Sequence, residues 1–143
     1  YNLKLMTNSE QYIQKLRKSG LRPTKQRIKI CEVLFDSNKT FHFTIKELAK
    51  MLENQAKTKV SLATIYNTVQ AFKDKEYLKE IAINSSQSYF DTNTSHHHHF
   101  FDLGEKKLID LEDNQVDSIK IKKTIPGKKI KSIEVLVKID NNN

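Results

Sequence analysis

The stretch that decides the fold is residues 44–73, TIKELAKMLENQAKTKVSLATIYNTVQAFK. Thr44, followed three residues later by Glu47, forms a capping box, in which hydroxyl and carboxylate satisfy the free N–H groups at a helix start. Ile45, Leu48, Ala49 and Leu52 then recur at helical spacing and give that helix one apolar face. Ser61 caps a second helix, running from Leu62 to about Lys73, with Leu62, Ile65, Val69 and Phe72 on one side and Thr64, Asn67 and Thr68 largely off it. Two capped helices joined by a short polar connection predict a helix-turn-helix.

Upstream lie two more helices. Thr7 and Glu10 make another capping box ahead of Tyr12, Ile13 and Leu16, and Gly20 ends that run. Pro23 and Thr24 open the next, whose stripe is Ile28, Cys31, Val33, Leu34 and Phe35. Downstream the period changes from helical to alternating. Leu78 to Ile83 and Ser88 to Asp91 flank the polar turn Asn84, Ser85, Ser86 and predict a β-hairpin, so residues 8–91 assemble as a winged helix-turn-helix. Beyond it, Ser95 to Asp102 and Lys107 to Leu111 predict strands around Leu103, Gly104 and Glu105. Ile133, Val135, Val137 and Ile139 predict a half-buried strand, and Asn114 to Lys123 a short helix between. The fold class is therefore α+β. About 45 residues make a poor core alone, so the second half is expected to need a second copy of the chain.

Charged residues make up 29% and apolar ones 37%, with three Gly and two Pro, which excludes collagen-like and grossly disordered compositions. No apolar run approaches the 18 or so residues of a membrane span and no secretion-signal layout opens the chain, so a cytoplasmic location is expected. The five residues before Met6 read as lying outside the native start, and Asn141 to Asn143 as a frayed tail. Residues 1–84 carry 16 Lys and Arg against 8 Asp and Glu, while residues 85–143 carry 9 against 9. A basic half joined to a neutral half points to a polyanion for the first part and another task for the second. Scattered lysines can equally be a solvated helix surface.

Four of the five histidines are consecutive, His96 to His99, ahead of Phe100 and Phe101. On a strand, His97 and His99 share one face and His96 and His98 the other, and two imidazoles at that spacing can chelate one metal. Further donors are available in His42, Asp91 and Asp110. The plainer reading is an exposed polar strand. Thr64, Tyr66 and Asn67 on the outward face of the fourth helix can reach base edges or phosphates in a major groove, or be ordinary surface. Cys31, the lone cysteine, stands on an apolar helix face and reads as core filler rather than a reactive thiol. No phosphate loop, catalytic triad or paired catalytic acid is present in the sequence.

The segments Gly20-Leu-Arg-Pro-Thr-Lys-Gln-Arg27, Val60-Ser-Leu-Ala-Thr-Ile-Tyr-Asn-Thr68 and Tyr89-Phe-Asp-Thr-Asn-Thr-Ser-His-His-His-His-Phe-Phe101 together resemble the ferric uptake regulator family of bacterial transcription factors. The unbroken histidine run followed by two Phe is most similar to the iron response regulator branch, which responds to iron through haem. The resemblance implies a winged-helix DNA-binding domain over residues 1–90 and an α/β dimerisation and metal- or haem-sensing domain over residues 91–143. It implies a metal site of His42, Asp91, His97, His99 and Asp110, for iron, manganese or zinc, and a second metal or haem site at His96 and His98. It also implies that Thr64, Tyr66 and Asn67 face the duplex, that Arg22 approaches the minor groove, and that Lys25 and Arg27 meet phosphates. Asp102 and Glu105 stand where many members have a cysteine pair, so their structural zinc is expected to be missing. The haem-linked Cys-Pro motif is also absent, since Glu32 follows Cys31.

The leading expectation is a dimeric, sequence-specific regulator of promoter operators that is not an enzyme and responds to iron status through bound metal or haem. The first alternative is a peroxide-, manganese- or zinc-responsive regulator of the same family, the peroxide reading depending on oxidation of a ligand histidine. More distant alternatives are a small metallo-hydrolase built on His97, His99 and Asp110, and a nonspecific nucleic-acid architectural protein.

Overall fold

The computed structural model describes residues 7–142; the expected non-native start, residues 1–5, lies outside the described residues, as do Met6 and Asn143. The elements run α1 (Asn8–Lys18), α2 (Lys25–Phe35), β1 (His42–Phe43), α3 (Ile45–Gln55), α4 (Leu62–Asp74), β2 (Lys79–Asn84), β3 (Gln87–Asp91), β4 (His98–Asp102), β5 (Lys107–Leu111), a 3-10 turn (Asp113–Gln115) and β6 (Leu136–Ile139). Two compact units divide between Thr94 and Ser95. The division falls beyond residue 90 because β3 continues to Asp91 and the Thr92 hydroxyl accepts from the Phe41 N–H at 3.0 Å.

In the N-terminal unit each expected cap residue forms its hydrogen bond, and Thr7 with Glu10 closes a full capping box, while for Thr44 the bond seen is the one from the Glu47 N–H. The side chains of Thr7, Thr24, Thr44 and Ser61 accept from the N–H groups of Glu10, Arg27, Glu47 and Thr64 respectively. The core beneath gathers one stripe from each helix, including Leu16, Leu34, Leu48, Ile65 and Phe72, with Phe43 and Phe90 from the strands. Each such side chain contributes roughly 1.5–3 kcal/mol by leaving water. Cys31 lies fully inside this cluster, and burial pushes its thiol up to about 12. Two side chains of α4 depart from the helical-wheel reading. Leu62 is 49% exposed, whereas Thr68 is fully buried, its hydroxyl donating to the Thr64 carbonyl at 2.8 Å.

The wing is the antiparallel sheet β1-β3-β2. Its edge strand β1 was not foreseen, since two residues are too few to show a period, yet the pairing sets His42 directly opposite Asp91.

The C-terminal unit is the sheet β5-β4-β6, in which β4 pairs antiparallel with β5 and parallel with β6. The histidine run thus enters the middle strand of a sheet, which is why three of the four imidazoles are buried. Strand β4 starts only at His98 and β6 only at Leu136, later than their patterns suggest. The helix expected over residues 114–123 does not form. Ile119-Lys-Ile121-Lys alternates with period two, β-branched side chains recur, and the cap-like pairing of Glu112 with Gln115 closes a single 3-10 turn. Buried apolar side chains of this unit are Phe101, Leu108 and Leu111 among the described residues, a small core in keeping with a need for a partner.

Candidate metal centre and nucleic-acid interface

Two sets of side chains converge on opposite faces of β4. On one face, the Nε2 atoms of His97 and His99 lie 3.6 and 3.5 Å from one Asp110 oxygen, and the two rings are 4.5 Å apart between centroids. Register explains the meeting. Asp110 is the cross-strand partner of His99, so both project from the same face, and His97 follows two residues behind. Both imidazoles are buried, whereas the Asp110 side chain is 45% exposed. His97 Nδ1 lies 2.8 Å from the Ser95 carbonyl, which can only accept. The proton of a neutral ring therefore sits on Nδ1, and Nε2 presents a lone pair, the arrangement of a metal-ligating histidine held by a carbonyl.

On the other face His96, His98 and Asp113 gather, with the imidazole centroids 5.0 Å apart. Asp113 was missed by the sequence reading. Its signal is positional: it lies two residues beyond Leu111, the partner of His98, and so returns to the same face. Here the ring nitrogens have other duties. His98 Nδ1 accepts the Val135 N–H at 3.0 Å, which places the neutral ring's proton on Nε2, 3.2 Å from Asp113. His96 donates from Nε2 to the Ile133 carbonyl at 3.0 Å and turns Nδ1 toward Asp113 at 3.1 Å.

In the N-terminal unit His42 is half-buried, its ring edge-on to Tyr89 at 6.3 Å. Burial raises the Tyr89 hydroxyl above its ordinary value. Asp91 is buried, and one of its oxygens accepts from the Asn93 N–H at 2.9 Å.

The DNA-facing set is divided. Tyr66 is 52% exposed and Asn67 is exposed, both bordering a groove of about 880 Å³ between α4 and the wing. Lys46, Gln70 and the wing residues Ser85 to Ser88 line the same groove; the sequence marked Ser85 and Ser86 only as part of a polar turn and Ser88 as the start of a strand. The Thr64 hydroxyl is engaged with Ser61 at 3.0 Å, within the cap. Arg22 and Lys25 are exposed and Arg27 is half-buried; its guanidinium donates to the Arg22 carbonyl at 2.9 Å, and its buried Nε has no hydrogen-bond partner.

A winged helix followed by a small sheet bearing imidazole–carboxylate clusters defines a class: a DNA-binding regulator with an attached ligand-sensing domain. The sequence model of the Ferric uptake regulator family matches residues 18–138, and the chain belongs to that family. It is accordingly a regulator of transcription that works on operator DNA as a dimer, and the metallo-hydrolase reading is set aside. The peroxide-responsive repressor PerR of Staphylococcus epidermidis is 36% identical over 110 residues, covering 77% of this chain and 71% of that protein. The PerR of Staphylococcus aureus strain Mu50 is likewise 36% identical over 110 residues, covering 77% of this chain and 72% of that one. In fold, the ferric uptake regulator of Pseudomonas aeruginosa, solved with manganese, covers 92% of this chain and 98% of its own at 20% identity and a TM-score of 0.66. The similarity in sequence thus runs to peroxide-responsive repressors, the reading held as the first alternative, and not specifically to the iron response branch. No helix among the described residues is long and apolar enough to cross a membrane.

Proposed function

We propose that the chain is a homodimeric, cytoplasmic repressor that needs a divalent metal to hold its operators and releases them on exposure to peroxide. The carrying observation is the 36% identity to repressors named for that response, in a chain whose His97, His99 and Asp110 converge with nitrogen and oxygen donors only. We assign His42 and Asp91 as the remaining ligands. Three imidazoles and two carboxylates suit iron(II), manganese(II) or zinc, and the His97 tautomer fits such a role. Bound iron(II) would supply the electron that reduces peroxide, which manganese(II) supplies far less readily.

The residues of the chain do the rest. The Ser95 carbonyl holds His97 by its Nδ1, so that Nε2, on the Asp110 side, would be the atom offered to an ion, and Asp110 would add an oxygen donor beside both buried imidazoles. Donors drawn from both halves of the chain favour whichever arrangement presents all of them at once, by no more than the differential affinity for the ion. On the duplex, Tyr66 and Asn67 read base edges, Thr64 stays with its cap beside them, Arg22 and Lys25 meet the backbone, and Arg27 positions the Arg22 loop. Haem or a second ion at His96 and His98 is disfavoured by His98, which would have to surrender the Val135 N–H or lose its remaining proton.

Duplexes selected from a random pool test this in a mobility-shift assay. Manganese(II) and iron(II) should each promote binding, and hydrogen peroxide should release only the iron-loaded protein, with one oxygen atom added to a histidine-bearing peptide. Release by haem alone, or equal peroxide sensitivity with both metals, would overturn the reading.

A further inference from the structure

The N-terminal unit covers its large apolar side chains with two exceptions. Among its described residues only Leu62 and Tyr66 are left exposed, at 49 and 52%. A lone exposed leucine needs no explanation, but these two stand one turn apart on the same face of α4. Both line the groove between α4 and the wing, as does the exposed Ala63 beside them. The buried arc of the helix is filled by Ile65, Thr68, Val69 and Phe72, and Leu62 stands outside it. Leu62 is also the first residue of α4, directly after the Ser61 cap, and it is the N-terminal residues of a recognition helix that reach base edges.

The chemistry of that face selects what Leu62 meets. From Leu62 to Phe72 the helix carries no charged side chain, so it brings neither Arg nor Lys to the O6 and N7 acceptors of guanine. An aliphatic side chain offers no hydrogen bond, and the one apolar group that a base pair displays in the major groove is the C5 methyl of thymine. We propose that Leu62 is a specificity-determining residue, whose side chain packs on a thymine methyl in each operator half-site while Tyr66 and Asn67 read neighbouring positions. Water surrounds both apolar groups in the free molecules and is expelled when they meet, which favours the complex at that base and at no other. The proposal rests on α4 being the reading helix and is independent of which metal or signal operates the protein.

The test uses the full chain with manganese(II) and a duplex selected from a random pool. Each thymine is replaced in turn by deoxyuridine, which removes the C5 methyl and keeps the base pairing. One position in each half-site should lose about fourfold in affinity, the effect of one methyl group withdrawn from water. Leu62→Ala should bind the selected duplex less tightly, keep its affinity for random duplex, and be indifferent to deoxyuridine at that position. Leu62→Met, which keeps an apolar side chain, should retain the sensitivity. Unmodified protein that tolerates deoxyuridine everywhere overturns the proposal without recourse to any variant. So does a Leu62→Ala protein with an unchanged thymine profile, because another side chain then holds the methyl. Tyr66→Ala and Asn67→Ala separate the two levels. If neither alters the preference among sequences, α4 is not the reading helix and that assignment falls together with the proposal. If both alter it and Leu62→Ala does not, the role of Leu62 alone is overturned. Circular dichroism should show Leu62→Ala folded, since the side chain is half-exposed and Ala is the better helix former.

Discussion

His97 with His99 and His96 with His98 repeat one motif on opposite faces of β4 and the two residues that lead into it, each pair with an aspartate from β5 or just beyond it. Composition and spacing barely distinguish them. What separates them is the work already assigned to each ring nitrogen. His97 donates from Nδ1 to a carbonyl and turns Nε2 toward Asp110, whereas His98 accepts a backbone N–H and therefore carries its proton on the side where an ion would sit. A cluster of donor residues becomes a metal site only when its lone pairs, and not merely its atoms, converge.

Three substitutions sharpen or break that contrast. The largest effect is expected from His97→Ala with His99→Ala. Bound metal, measured by elemental analysis of the dialysed dimer, should fall by one ion per chain, and metal-dependent DNA binding should vanish. The loss should exceed the roughly 10–100-fold that removal of an outer-shell partner causes. Next, His98→Ala should leave the metal content intact but strand the Val135 N–H, costing about 1–3 kcal/mol of stability. Amide exchange at Val135 and along β6 should rise in step, and loss of an ion without that rise would reverse the assignment. The smallest effect belongs to Asp113→Asn. An amide oxygen still accepts the His98 proton, so a melting temperature within a few degrees of the parent is expected, with unchanged metal content.

Much of this was legible in the sequence because caps and periods are local. Thr44 with Glu47 and Ser61 with Thr64 announce the helix-turn-helix within a few residues, and the two-residue period of the histidines foretold which would meet. The two-residue strand β1 was invisible because it exists only through pairing with β3, far along the chain. The division of labour between the imidazole pairs was hidden for the same reason. The partners of His96 and His98 are backbone atoms of Ile133 and Val135, 37 residues away. The absent helix at 114–123 was a misjudged period: alternating isoleucine and lysine follows the rule of extended chain.

The parallel pairing of β4 with β6 also has a kinetic consequence. A strand that docks after so long an excursion must close a large loop before any contact rewards it, and the intervening lysines repel one another while it does so. The C-terminal unit should therefore mature after the helices, leaving newly made protein for a time with its operator-reading half assembled and its sensor unfinished.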